Sequence, residues 1–188
     1  EHPISMTVRD SLGLALSGAS ADSLPAYEEA MAGLQSFIGD PVGSANRAIA
    51  TSPDFVMAHV FKGYLYAMST EARAAKIAGE CQRQAATLTA DGRERRHVEA
   101  LGLLAQGNWH AAGRVLGEIS AEHPKDILAL QAGHQIDYFT GNAASLRHRI
   151  AVALPAWDAA MPGYHSMLGM RAFGLEENAE YSEAEAAG

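Results

Sequence analysis

Residues 107–142, GNWHAAGRVLGEISAEHPKDILALQAGHQIDYFTGN, hold two helical patterns between two Gly-Asn pairs. Apolar residues recur at helical spacing on both sides of Pro124, and proline cannot continue a helix. The asparagine of the pair recurs along the chain, since Asn108, Asn142 and Asn178 follow one another at intervals of 34 and 36 residues. The stretch therefore predicts a helix–turn–helix unit that repeats along the chain.

A period near 34 residues with two helices per unit is typical of tetratricopeptide (TPR) repeats. The composition agrees, because the helix formers Ala, Leu, Glu, Arg and Gln dominate and alternating runs of Val, Ile and Thr are missing. The sequence predicts an all-α fold, a TPR-like α-solenoid of antiparallel helix pairs with about ten helices. The expected helices are 23–38, 42–51, 54–69, 71–89, 92–106, 109–122, 125–140, 142–153, 162–175 and 178 onward.

The domain organisation is predicted to be simple. Residues 1–22 are expected to form an N-terminal arm, and residues 23–188 are expected to form the TPR-like repeat domain. Within that domain, Pro155 and Pro162 predict a connector over 154–163. The chain stops at YSEAEAAG, which reads as half of a second helix without a capping repeat, so we expect the domain to be cut within its last helix pair.

The charge balance and the motif content exclude several classes of function. The chain carries 22 Asp+Glu against 14 Lys+Arg, which argues against a nucleic-acid partner. No apolar run approaches the ~20 residues of a membrane span, so no membrane partner is predicted. One cysteine, Cys81, permits no intramolecular disulfide and indicates a reducing, cytoplasmic location. Phosphate-loop, dinucleotide and zinc motifs are missing, so we predict no cofactor and no metal.

Four segments, in this order along the chain, resemble the bacterial relatives of tetratricopeptide repeat protein 38. They are GDPVGSANRAIATSPDFVMAH (39–59), RERRHVEAL (93–101), AEHPKDILALQAGH (121–134) and LPAWDAAMPGYHSMLGMRAFGLEENAEYSEAE (154–185). The similarity runs from near Asp10 to the end, and it implies that this chain is the N-terminal portion of a longer TPR-like protein. That family is described by its repeats and not by an established reaction, so the resemblance supplies no catalytic residues.

The resemblance also singles out histidines. His59, His97 and His134 match the family, and Asp137 falls where the family tends to place an acidic residue after the last of them. Each histidine lies in the first helix of a predicted pair, at successive spacings of 38 and 37 residues. Because first helices line the inner face of a TPR superhelix, the three side chains are candidates to converge there.

His134 and Asp137 are the strongest candidates for a functional site, because they occupy positions where TPR repeats usually pack a small and a bulky residue. Two interpretations remain open. In one, the carboxylate orients the imidazole, as in a general base or the support of a metal ligand. In the other, the pair is a polar pin between packed helices, since a buried polar group needs a partner.

The other predicted binding residues are mostly basic. Arg96 and His97 belong to the run RERRH, which either holds a carboxylate or forms a solvated helix start. Arg171, on the ninth predicted helix, is a second groove candidate. The predicted binding set is His59, Arg96, His97, His134, Asp137 and Arg171.

We expect a helical scaffold that binds a peptide, a protein partner or its own C-terminal extension in a concave groove, with self-association as a further form of partnership. The scaffold interpretation requires a continuous groove with polar groups along it. The alternative is an enzyme, or part of one, with a His/Asp pocket on the inner face, in which His134 and Asp137 are catalytic. That alternative requires His59, His97 and His134 to meet at one enclosed pocket.

Overall fold

The computed structural model describes residues 7–69 and 71–187, and side-chain surroundings as far as residue 179. This part of the chain is all-α, as the composition predicts, apart from an isolated antiparallel bridge between Arg9 and Ala15. None of its helices combines the length and the apolar character of a membrane span. In chain order the nine α-helices of the described residues are α1 (Leu24–Ser36), α2 (Pro41–Thr51), α3 (Val56–Ala67), α4 (Ala72–Ala86), α5 (Gly92–Ala105), α6 (Trp109–Glu122), α7 (Ile127–Phe139), α8 (Ala143–Ala153) and, after a 3-10 turn (Leu154–Ala156), α9 (Tyr164–Ala187).

The prediction of ten helices is wrong at the C-terminal end of the described chain. There, α9 is continuous where the pattern predicts two helices, 162–175 and 178 onward. No glycine or proline interrupts the chain at the expected break. The Asn178 amide donates to the carbonyl of Gly174 one turn earlier and to the carbonyl of Ala143 at the start of α8. This asparagine therefore continues one helix and ties it to another, and it does not begin a new one.

Other helix ends follow local sequence signals. Asp91 caps α5 by accepting from the backbone N–H of Glu94, whose side chain accepts from the Asp91 N–H, which makes a capping box. Gly107 and Gly141 follow α5 and α7 with φ angles of 81° and 70°, a left-handed conformation that glycine adopts without strain. Because these are the glycines of the repeated Gly-Asn pairs, the repeat signal predicts both helix ends.

Helix α3 lies at the centre of the core. Most of its residues are buried, and it packs on α2, α4 and α5, whereas the other helices pack mainly on their neighbours in chain order. Gly63 permits the close packing around α3. An added Cβ there would lie 2.4 Å from Leu101 Cδ2 and 3.2 Å from Cys81 Cβ. The absence of a side chain at this position therefore brings α3 against both α4 and α5.

Residues 7–22 form an arm that is hydrogen-bonded to the centre of the fold. Leu16 is buried, and the Ser17 hydroxyl and N–H both donate to the carboxylate of Glu94 in the first turn of α5. The Ser17 carbonyl accepts from the N–H of Val56 at the start of α3. The arm thus connects the beginnings of α3 and α5, where the polar network described below also lies.

We expect Gly63→Ala to lower the free energy of unfolding by about 1–3 kcal/mol, because the fully buried Leu101 has no room to move away from the new methyl group. Gly169→Ala in α9 is the control. An added Cβ there meets nothing within 4 Å, so alanine stabilises that variant by up to about 1 kcal/mol through its helix propensity. Urea unfolding followed by circular dichroism measures both changes, and equal stability of the two variants would contradict the close packing at Gly63.

Candidate functional site

A groove of about 910 Å³ opens between the end of α1, one face of α7 and the first half of α9. Its surface is mostly apolar, and its described lining includes no Asp, Glu, Lys or Arg. We name it the α7 groove. Its lining residues are Ala32, Leu34, Gln35, Ser36, Phe37, Gln131, His134, Gln135, Tyr138, Phe139, Gly163, His165, Ser166, Gly169, Met170 and Phe173.

Aromatic side chains stand exposed along the α7 groove. Phe37, Tyr138 and Phe139 are 89%, 55% and 53% exposed. The rings of His134 and Tyr138 each lie 5.7 Å from the ring of Phe173, measured between centroids, so the aromatic row continues from α7 to α9. Phe37 also has a φ of 56°, a conformation that bulky residues rarely adopt. Contiguous exposed apolar surface of this kind marks interaction sites.

Two polar atoms in the α7 groove, Gln131 Oε1 and His134 Nδ1, are buried without a hydrogen-bond partner among the described residues. They lie one turn apart on α7, and an unpaired buried polar atom costs about 1–3 kcal/mol. Burial lowers the pKa of His134 below its ordinary value, against the attraction of Asp137 and together with the repulsion of Arg149. The lowered pKa favours the neutral imidazole, which offers one N–H and one lone pair.

The His134–Asp137 pair of the first sequence interpretation does not form. The carboxylate of Asp137 is instead bonded to a side chain of the next helix. Arg149 of α8 donates from Nε to Oδ2 at 2.9 Å and from Nη2 to Oδ1 at 3.1 Å. The guanidinium lies against Gly133, where an added Cβ would be 2.7 Å from its Cζ. Asp137 lines a separate cleft of about 400 Å³ between α6, α7 and α8, whereas His134 lines the α7 groove. Asp137 is thus a pin between helices.

His97 belongs to a buried polar network and does not line the α7 groove. Its Nε2 lies 2.7 Å from Asp126 Oδ2, and its Nδ1 lies 2.8 Å from the Tyr64 hydroxyl. Arg93 donates to the same Asp126 oxygen at 2.8 Å, and the other oxygen accepts from the N–H of Ala129 in α7. Burial alone would raise the pKa of Asp126, but attraction and hydrogen bonds from His97 and Arg93 hold it well below its ordinary range. The network links α3, α5 and α7.

The three histidines singled out by the sequence are not brought to one pocket. His59 is buried, with Nε2 2.7 Å from the carbonyl oxygen of Pro53, and it lies outside the α7 groove lining, as His97 does. Only His134 of the three lines the groove. The enclosed pocket that the enzyme interpretation requires is therefore not formed within the described chain. Nor do the described residues contain a group of three His, Cys, Asp or Glu side chains that could hold a metal ion.

The two predicted arginines also lie outside the α7 groove lining. Arg96 forms ion pairs with Glu118 of α6 and, at 3.3 Å, with Glu99 one turn along α5. Its guanidinium is therefore already paired with carboxylates of the same chain. Arg171 is exposed on α9. Of the six predicted binding residues, His134 alone contributes to the groove.

Sequence reasoning misses the residues that surround His134 in the groove. Gln131, Gln135 and Tyr138 share one stripe of α7 with His134, so a helical projection would have grouped them. Phe173 has no comparable signal, because its place beside His134 depends on how α9 packs.

Sequence reasoning also misses the partners of His97. Tyr64 and His97 are 33 residues apart, and so are Arg93 and Asp126. That separation is close to the 34-residue interval between the Gly-Asn pairs. The spacing could therefore have indicated that these residues lie close together, but it does not indicate which side chains bond to each other.

No protein-family model matches the sequence, and no solved structure matches the chain.

We expect Asp126→Asn to lower the free energy of unfolding by about 3–5 kcal/mol, because it leaves Arg93 and His97 buried without their carboxylate. Since the folded-state pKa of Asp126 is lowered, its stabilisation is complete above the unfolded value near 3.8 and is lost as the pH falls below it. The variant should therefore lose less stability on acidification than the wild type. Urea unfolding across pH measures both effects. Asp22→Asn, at an exposed position, is the control, and equal stabilities of the two variants would contradict the network.

Proposed function

We propose that the chain is a TPR-like helical scaffold that docks a helix of a partner protein in the α7 groove. The observation that carries the proposal is the groove itself, an uncharged and mostly apolar cavity of about 910 Å³ bordered by exposed aromatic rings. In water such a surface is unfavourable by roughly 25 cal/mol for each Å² of apolar area. A partner that covers it recovers this free energy.

Three features support the TPR-like part of the proposal. Helices follow one another through short connections and pack mainly on their chain neighbours. Gly-Asn pairs recur near a 34-residue period, and hydrogen-bonded side chains recur at a 33-residue separation. The resemblance to bacterial relatives of tetratricopeptide repeat protein 38 is the third feature. Proteins built from stacked repeats commonly bind partners on one extended surface.

The dimensions of the groove favour a helix as the occupant. Lining residues extend from Gln131 to Phe139 on α7 and from His165 to Phe173 on α9, which is about 12 Å along each helix. That length matches two turns of a helix that presents apolar side chains at i, i + 4 and i + 7. A peptide, a partner protein, a second copy or a C-terminal extension can each supply such a helix.

Charge favours a separate partner among these occupants. The chain has a formal net charge of −8, whereas the described groove lining carries no formal charge. A partner helix with an apolar face and a basic polar face therefore complements both the groove and its surroundings, because opposite charges speed association. A second copy of this chain would bring like charge.

The buried thiol of Cys81, whose pKa is raised by burial, is compatible with the proposed cytoplasmic location.

The proposal is tested with a stapled model helix that carries leucines at i, i + 4 and i + 7 and lysine and glutamine elsewhere. Its binding is followed by displacement of the neutral fluorophore N-phenyl-1-naphthylamine. We expect Tyr138→Asp to weaken binding of the helix by about tenfold or more, because docking would bury an unpaired charge in the groove. Leu175→Asp, on the same helix as Phe173 but outside the groove lining, is the control and should bind as the wild type does. Failure of the wild type to bind the helix, or equal weakening by both variants, would contradict the proposal.

A further inference from the structure

The buried side-chain polar atoms of α7 that lack a hydrogen bond lie on the groove face of this helix. Asp137, on another face, has both carboxylate oxygens bonded to Arg149, and Asp126, which caps the helix, is bonded by three partners. Among the described residues, the buried side-chain polar atoms of α7 without a partner are Gln131 Oε1 and His134 Nδ1. The missing hydrogen bonds are therefore a property of the α7 groove and not of the helix as a whole.

The groove lining does not compensate for these two atoms. The nearest ring to His134 belongs to Phe173, at 5.7 Å between centroids, and no charged side chain lines the described groove. A third buried atom without a hydrogen bond, Arg96 Nε, lies outside the groove and has an ion-pair partner in Glu99. Buried polar atoms in native proteins are almost always paired with protein groups or with ordered water. A partner that docks in the groove and displaces water from these two atoms must therefore replace the hydrogen bonds of that water.

The chemistry of the two atoms restricts which group of the partner can do so. An amide oxygen only accepts, so a partner of Gln131 Oε1 must donate an O–H or N–H. A carboxylate cannot do this, because it only accepts. An ammonium or guanidinium group donates, but it would bring an unpaired charge into a lining that holds no carboxylate. A hydroxyl, amide or indole N–H meets the requirement, and a hydroxyl can bond to His134 Nδ1 at the same time.

We propose that Gln131 and His134 are the specificity-determining end of the α7 groove, and that they select a partner helix carrying one uncharged hydrogen-bond donor among its apolar side chains. The donor is a Ser, Thr, Tyr, Asn, Gln or Trp side chain. This inference rests on the proposed docking function and adds to it the chemistry of the docked face.

Three small probes with one aromatic framework test the inference. N-Phenyl-1-naphthylamine carries an N–H donor, its N-methyl derivative has lost that donor, and 8-anilino-1-naphthalenesulfonate adds a negative charge. We expect the wild type to bind the amine roughly two- to tenfold more tightly than the N-methyl derivative, and the sulfonate more weakly than the amine. Fluorescence titration gives the three dissociation constants.

Variants of two glutamines on the same stripe of α7 separate the donor contact from general affinity. In Gln131→Leu the preference for the N–H probe should fall to about onefold, with affinity for the N-methyl derivative retained. In Gln135→Leu, which also lines the groove but has no unpaired buried atom, the preference should persist. The melting temperature of Gln131→Leu should rise, because an unpaired buried acceptor is removed.

The outcomes distinguish this inference from the docking function on which it rests. Equal affinity of the wild type for the amine and its N-methyl derivative, with the model helix still displacing the probe, would refute the inference and leave docking intact. A preference that survives in Gln131→Leu, or a melting temperature that falls in that variant, would also refute it. If neither the amine nor the model helix binds the wild type, both proposals fail.

Discussion

The buried carboxylate of Asp126 is the constraint on which the positions of the central helices depend. A charge in the interior must be paired, and this one is held by Arg93, by His97 and by the N–H of Ala129. The Tyr64 hydroxyl bonds to the other side of His97. Because each partner comes from a different turn or helix, satisfying one carboxylate aligns α3, α5 and the start of α7. A shift of α7 along its axis would leave a buried charge unpaired.

The position of the proposed docking surface follows from how the other faces of α7 are occupied. The core face packs Leu128 and Ile136, and a second face is joined to α8 through Asp137 and Arg149. The remaining face carries Gln131, and with it His134, towards α1 and α9 without hydrogen-bond partners for their buried atoms. The carboxylates that join α7 to α5 and α8 are thus hydrogen-bonded, whereas the buried atoms of Gln131 and His134 at the groove are not. That contrast is the physical basis for assigning a docked partner to this surface.

Much of the helical architecture was accessible from the sequence, because glycine, proline and cap residues act locally. The Gly-Asn pairs predicted the ends of α5 and α7, since Gly107 and Gly141 adopt the left-handed conformation. The same repeat misled at Asn178, where the side chain bonds within α9 and to α8. A regular spacing of asparagines along the chain therefore does not specify a helix end unless a residue such as glycine also breaks the helix.

The candidate site was less accessible than the fold. The sequence singled out His134 and Asp137 as polar residues at packing positions and left open whether they pair with each other or join helices. In the structure the Asp137 carboxylate is bonded by Arg149. Which residues face His134 depends on the approach of α1 and α9, which no local pattern encodes.

The most direct test of the groove uses methionine methyl NMR during titration with N-phenyl-1-naphthylamine, since Met170 lines the α7 groove and Met57 is fully buried elsewhere in the core. The account predicts a saturable shift of the Met170 methyl signal with Met57 unchanged, and equal shifts of both signals, or no shift at Met170, would contradict it.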